Sequence, residues 1–220
     1  MNKIEIFFYA ITQRIVWLVT TICMRLFSKL TVVGGENIKN CPTPLLIVSN
    51  HRSYWDAMII GTIFPFFSNR YLPIAFLAAD DYFLKPLFRA FFLLTGTYPV
   101  YKGMGLDISL QYPRYILKRN GVVLLFPYGK RIIDENVQES PRRGAGVLVE
   151  ESSNLWIIPI YLNTTSNLDF VDFLSRRNEM SVYIGKPFQA DSEFKKYGAQ
   201  EITRNLVNRI AALAPHNTNL

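Results

Sequence analysis

Two side chains in the segment IVSNHRSYWDAM, residues 47–58, have the types and spacing for proton chemistry: His51 and, after four intervening residues, Asp56. An imidazole titrates near neutral pH, so it can take a proton from a bound hydroxyl and return it. A carboxylate accepting from one ring nitrogen fixes the tautomer, leaves the other nitrogen as the base, and stabilises the imidazolium that forms. The competing reading is a core histidine satisfied by a nearby carbonyl.

Residues five apart on one helix are separated by about 140° of rotation, so His51 and Asp56 cannot face each other from a regular helix. The spacing predicts His51 in a loop and Asp56 in the first turn of the helix that follows. Ser49 and Ser53 are near, but neither sits in a G-x-S-x-G elbow, and a serine acyl-enzyme has little support. Without an enzyme nucleophile, the pair would deprotonate a substrate hydroxyl and direct it at an activated carbonyl, which is acyl transfer. With water as acceptor, the same pair would hydrolyse thioesters or lysolipids.

The elements that must position this pair follow from the pattern of apolar runs. Leu45 to Val48 is apolar at consecutive positions, as in a strand covered on both faces, and Ser49-Asn50 ends it. Ile74 to Ala78, Val122 to Phe126, Ile157 to Leu162 and Val182 to Ile184 also read as strands. Helical patterns lie between them at Trp55 to Ile63, Tyr82 to Leu94, Leu106 to Lys118, Arg143 to Ser152 and Glu193 to Leu213. Such alternation predicts an α/β fold with a mostly parallel central sheet flanked by helices, where sites gather at the carboxyl ends of strands. The length of 220 residues suits one domain, read as 35–220, with an N-terminal membrane-associated helical region at 1–34.

That N-terminal region is the most lipid-like part of the chain. Glu5, Gln13-Arg14 and Arg25 interrupt it, and the uncharged run Ile15 to Met24 is shorter than the ~20 residues that span a bilayer. Ile11, Ile15, Leu18, Val19, Ile22 and Leu26 recur near helical spacing, so an amphipathic helix in the membrane interface is expected, with Arg14 and Arg25 snorkelling toward headgroups. The alternative is a helix packed on the domain's own core. No small-residue cleavage site of a signal peptide follows the apolar stretch. YFLKPLFRAFFLLTG, residues 82–96, carries five Phe or Tyr residues among leucines; it reads as a core helix or as the lining of an acyl slot or bilayer contact.

Half of the chain is hydrophobic, yet 24 basic against 17 acidic residues leave a net charge of +7 and a pI near 9.4. An apolar, basic protein suits an anionic membrane surface or phosphate-bearing ligands. Nucleic acid is not an expected partner, because zinc-finger spacing, an RNP-like strand and long Lys/Arg runs are all missing. Cys23 and Cys41 form neither a metal cluster nor a disulfide framework, which points to a reducing compartment.

The sequence NHRSYWD resembles the first motif of the glycerolipid acyltransferases of the lysophosphatidate (1-acylglycerol-3-phosphate) type, an Asn-His pair, four residues and an aspartate. Further blocks follow in that family's order: GTYPVYKG at 96–103, FPYGKR at 126–131 and IIPIY at 157–161, with PRRGAG at 141–146 and YIGKPF at 183–188 also similar. The resemblance runs from about Gly35 to Phe188. It implies His51 as general base and Asp56 as its orienting partner. Arg131, helped by Lys102 and Arg143, would bind the acceptor's phosphate, for which a guanidinium offers two parallel hydrogen bonds. Tyr128 and Gly129 complete the implied acceptor site, Gly129 by allowing close backbone approach.

By the same resemblance, an acyl-carrier-protein or coenzyme A thioester is the donor and a lysophospholipid the acceptor, on the cytoplasmic face of a membrane, without a metal or cofactor. Two positions depart from the family pattern. Tyr128 stands where the third block usually has glutamate, and Tyr101-Lys102 where the second commonly ends in Asp-Arg. Both lie on the implied acceptor side. A different acceptor therefore stays open, as does a lipid-surface protein of this fold that has lost turnover.

Overall fold

The computed structural model describes residues 3–101, 103–132, 140–164, 178–190 and 194–215. Eight strands form one mixed sheet in the order β1-β7-β6-β2-β5-β3-β4, with β8 also paired to β6. They are β1 (Ser28–Val33), β2 (Leu45–Ser49), β3 (Ile74–Ala79), β4 (Thr97–Val100), β5 (Val122–Leu125), β6 (Trp156–Asn163), β7 (Asn178–Ile184) and β8 (Phe188–Gln189). Strands β6, β2, β5, β3 and β4 run parallel, so their carboxyl ends open on one edge. β7 and β8 pair antiparallel to β6, and β1 runs parallel to β7 at the outer edge. The mostly parallel sheet matches the alternation of the sequence; β1, β4 and β8 had no counterpart among the expected strands.

The helices are α1 (Lys3–Phe27), α2 (Asp56–Ile63), α3 (Pro86–Thr95), α4 (Gly105–Leu117), α5 (Gly144–Glu151) and α6 (Ala199–Ala211). Alternation along β2 divides the core. Leu45 and Ile47 face one layer with Trp17, Met24, Ile59 and Ile60 from α1 and α2. Leu46 and Val48 face the other, with Leu110, Leu148 and Leu206 from α4, α5 and α6. Each fully buried side chain of this size contributes about 1.5–3 kcal/mol, which is why β2, buried at every position, anchors the sheet's centre.

α3 is shorter than the Tyr82 to Leu94 pattern. Pro86 occupies its first turn, and Lys85 before it is extended (φ −92°, ψ 119°), as a residue preceding proline must be. Asp80–Leu84 forms a separate 3-10 turn ahead of it. Likewise α6 begins only after Gly198, which is extended (φ −64°, ψ 159°).

Within the 1–34 segment, the helix ends at Phe27 and Ser28–Val33 joins the sheet. Ala10, Gln13, Trp17, Thr20 and Met24 recur at alternating spacings of three and four and are buried against the domain. Gly61 of α2 makes this possible, since a Cβ there would fall 2.4 Å from the Trp17 ring. Gln13 acts as a strand-like partner in the core. Its amide accepts from the Ile74 N–H (2.8 Å) and donates to the Ile74 and Thr95 carbonyls (both 2.7 Å). Arg14 does not snorkel; its guanidinium donates to the Phe66 carbonyl (3.0 Å) and Asn69 Oδ1 (2.7 Å), because the loop after α2 puts acceptors within reach.

The opposite face of α1 carries the apolar stripe singled out above: Ile11, Ile15, Leu18, Val19, Ile22 and Leu26 are all exposed. By length and composition, Ile4–Phe27 could cross a membrane, although its inner face is committed to the domain. The apolar surface continues over Phe67 (88% exposed) and α3, where Leu87 is 87% exposed and only Thr95 is buried. Core burial is therefore not the fate of residues 82–96.

Candidate active site

Strand β2 ends at Ser49, and the next residue turns the chain. Asn50 lies beside the last turns of β6 and pairs with Leu162 as a peptide would: its Nδ2 donates to the Leu162 carbonyl (2.8 Å) and its Oδ1 accepts the Leu162 N–H (2.7 Å). His51 follows in the loop, and Asp56 opens α2, as the five-residue spacing requires. His51 Nδ1 and Asp56 Oδ2 are 2.8 Å apart. Asp56 is completely buried, whereas His51 keeps an exposed edge, which leaves Nε2 as the nitrogen available to a ligand.

Burying a carboxylate is unfavourable unless its lone pairs are satisfied. Asp56 Oδ2 also accepts from the backbone N–H groups of Arg52 (2.6 Å) and Ser53 (2.8 Å), and Oδ1 accepts from the Thr164 hydroxyl (3.1 Å). The first turn of α2 adds the positive end of the helix dipole. The imidazole stacks on Phe126 at the end of β5, with ring centroids 4.1 Å apart and planes 12° from parallel. Three neighbouring strand ends therefore hold the pair. Ser49 and Ser53 are buried, and Ser53 Oγ accepts the Trp55 N–H (3.2 Å), so neither stands out as a nucleophile.

Phe126 begins a tight turn in which the Gly129 N–H donates to the Phe126 carbonyl (2.9 Å). Gly129 has φ +65°, a left-handed conformation, and a Cβ there would meet the Arg142 side chain at 3.0 Å. The close approach expected of Gly129 is thus toward Arg142, whose N–H also bonds the Pro127 carbonyl (2.8 Å). Tyr128 lies half-buried within this turn.

Beyond the turn the chain returns to the histidine, and the Ile132 N–H donates to the His51 carbonyl (2.8 Å). Arg131 is consequently beside the His51 loop. Its Nη2 donates to the Tyr54 hydroxyl (2.8 Å), and its guanidinium lies 3.7 Å from the centroid of the Tyr54 ring. Arg143 is exposed just ahead of α5, and its carbonyl accepts the Val147 N–H. Lys102 lies outside the described residues.

Sequence reasoning missed Thr164, Phe126 and Tyr54. Phe126 and Thr164 each follow the carboxyl end of a strand adjacent to β2, a signal that the predicted parallel order could have supplied. Tyr54 carried no signal beyond lying within the His-Asp loop.

Apolar space lies beside the edge strand β4. A cavity of about 490 Å³ at the ends of β3 and β4 is lined by Tyr9, Asp80, Phe83, Leu93, Tyr98 and Tyr101, among others. A groove of about 390 Å³ between α1 and α3 shares Tyr9 and Leu93 with it. The Tyr82 ring lies edge-on to Tyr54 at 6.4 Å and packs near Phe88 and Phe92. Among the described residues, no group of His, Cys, Asp and Glu side chains is placed to hold a metal ion.

Residues 29–163 match the family model described as Acyltransferase. The chain is similar to a 1-acyl-sn-glycerol-3-phosphate acyltransferase of Chlamydomonas reinhardtii, with 28% identity over 144 residues, 64% of this chain and 41% of that protein. It thus spans less than half the length of that curated relative. The crystal structure of the 1-acyl-sn-glycerophosphate (LPA) acyltransferase PlsC from Thermotoga maritima shares its fold, with a TM-score of 0.58 and 18% identity over 94% of this chain and 81% of that one. With the family model spanning more than half its length, the chain belongs to the Acyltransferase family.

Proposed function

We propose that this protein is a membrane-associated O-acyltransferase that moves an acyl chain from an acyl-carrier-protein or coenzyme A thioester to the hydroxyl of a lysophospholipid, most simply lysophosphatidate. The observation that carries the reading is the His51–Asp56 contact of 2.8 Å, with the carboxylate buried and the imidazole open to a ligand. Asp56 holds Nδ1 in its protonated tautomer, so Nε2 takes the acceptor's hydroxyl proton as its oxygen attacks the thioester carbonyl. The tetrahedral intermediate collapses with loss of the thiolate, and His51 returns the proton to the sulfur. Arg131, held on Tyr54 beside the same loop, attracts the acceptor's phosphate.

The exposed stripe of α1 and the exposed side chains of α3 support seating at a lipid surface, with the inner face of α1 docked on the domain. This arrangement favours an interfacial helix over a spanning one. The apolar cavity along β4 and the groove between α1 and α3 offer space for the acyl chain. The cytoplasmic face is the side on which both thioester donors would reach the site, in keeping with two unpaired cysteines.

Mass spectrometry of lipids formed by purified protein on vesicles tests this reading, with each labelled thioester offered beside a panel of lysolipids. A new diacyl lipid is the expected product, formed fastest from a phosphate-bearing acceptor. Free fatty acid without a new ester lipid would replace the transferase with a hydrolase. Turnover confined to acceptors lacking a terminal phosphate would remove Arg131 from its proposed role.

A further inference from the structure

The Asp56 carboxylate is held unequally at its two oxygens. Oδ2 receives three donors, His51 Nδ1 and the N–H groups of Arg52 and Ser53, all from the loop that carries the histidine. Oδ1 receives the Thr164 hydroxyl, from 108 residues away in sequence, just beyond the end of β6. Both Asp56 and Thr164 are buried. Rotation about Cβ–Cγ moves both oxygens together, so the Thr164 bond to Oδ1 restrains that rotation from outside the histidine loop. The alignment of an Oδ2 lone pair with Nδ1 then depends on β6.

The strand before Thr164 also grips the start of the motif. Asn50 is paired to Leu162 of β6 through both amide atoms, two positions before Thr164. The backbone of Leu162 in β6 and the side chain of Thr164 just past its end therefore make two contacts, one to each end of the Asn50–Asp56 segment.

We propose that Thr164 is a positioning residue, whose hydroxyl sets the Asp56 carboxylate plane and through it the orientation and tautomer of His51. The inference rests on reading His51 as the general base. Side chains that hold a reacting group indirectly have large kinetic effects when geometry slips, with losses near 100-fold for misplacements of about 1 Å.

Thr164→Val keeps the shape and removes the hydroxyl, Thr164→Ala is a second deletion, and Thr164→Ser restores the hydroxyl. The expected result is a fall in kcat of about tenfold to a hundredfold in the Val and Ala variants, with KM for the lysolipid little changed and the Ser variant near wild type. A purely structural role would instead lower melting temperature and active fraction without this rescue pattern.

Nitrogen-15 NMR of the histidines supplies a readout that does not need turnover, because the chain has only two. Wild type and Thr164→Ser should show a single His51 tautomer protonated at Nδ1, with a slowly exchanging downfield proton, and Thr164→Val should show mixed tautomers with that proton lost. An unchanged His51 spectrum in folded Thr164→Val would overturn the proposal whether or not wild type turns over. If wild type forms no ester lipid in the same assay, the functional reading fails, and the spectrum alone still decides the positioning claim.

Discussion

Strand β2 and helix α3 are both apolar, yet they meet opposite fates. Every residue of β2 is buried, its backbone is paired on each side by β5 and β6, and its faces are covered by helices. α3 satisfies its own backbone within the helix and exposes Leu87, Phe88, Leu93 and Leu94. An apolar composition says that water should be excluded, not what excludes it. For β2 the answer lies within the chain. For α3 and the outer stripe of α1, a lipid surface fits, because a helix brings no unpaired backbone groups into hydrocarbon.

The comparison predicts that catalysis and membrane binding separate cleanly by mutation. Asp56→Asn, at the buried end, should lower turnover by about 10²–10⁴-fold with vesicle binding unchanged, measured by initial rates and flotation, since the amide keeps the shape but cannot stabilise an imidazolium. Loss of vesicle binding in this variant would show that the two regions are coupled.

Leu87→Glu should do the reverse. Placing a charge where an exposed leucine enters lipid forfeits about 1.5–3 kcal/mol, a weakening of partition by about tenfold to a hundredfold in flotation assays. Its melting temperature should stay at the wild-type value, because a side chain so exposed contributes no packing. A marked drop in melting temperature would mean that α3 packs on protein after all.

Gln13→Leu tests the join between the two regions. It leaves the Ile74 N–H and carbonyl and the Thr95 carbonyl without their side-chain partner, at a cost of roughly 1–3 kcal/mol in denaturant unfolding. Wild-type stability would show that α1 is held by its apolar contacts alone.

The smallest effect concerns Cys41, buried in the layer beneath α1. Burial pushes its thiol up from 9.0 to about 11, with the Arg70 cation opposing in part. A raised thiol disfavours the thiolate in the folded state, so the stability linked to it is fully present below pH 9.0 and lost as pH rises through about 11. Below that window, iodoacetamide should leave Cys41 unmodified until denaturant is added, as peptide mass mapping would report. Rapid labelling of native protein near neutral pH would place Cys41 at an open surface.

Local features were legible in the sequence, and features made by distant contacts were not. The His51–Asp56 spacing dictated a loop followed by a helix, and the unbroken apolar run at Leu45 to Val48 dictated a strand covered on both faces. Pro86 marked the true start of α3, but the aromatic pattern around it concealed the break. Gln13 and Arg14 read as interruptions of a lipid-facing helix, because nothing local shows that the Ile74 backbone and the loop after α2 will meet them. Thr164 was out of reach for the same reason: its bond to Asp56 exists only once β6 lies beside β2. The platform of Tyr54 beneath Arg131 likewise joins residues 77 apart.

The most direct test of the central claim is transfer of label from acyl thioester to lysophosphatidate on vesicles under single-turnover conditions, wild type beside His51→Ala. Both proteins should be folded and equally vesicle-bound, with labelled diacyl phospholipid formed by wild type and reduced at least about a hundredfold in the variant. Equal product from the two would contradict the assignment of His51 as the base. Product from neither, with both bound, would contradict the transferase itself.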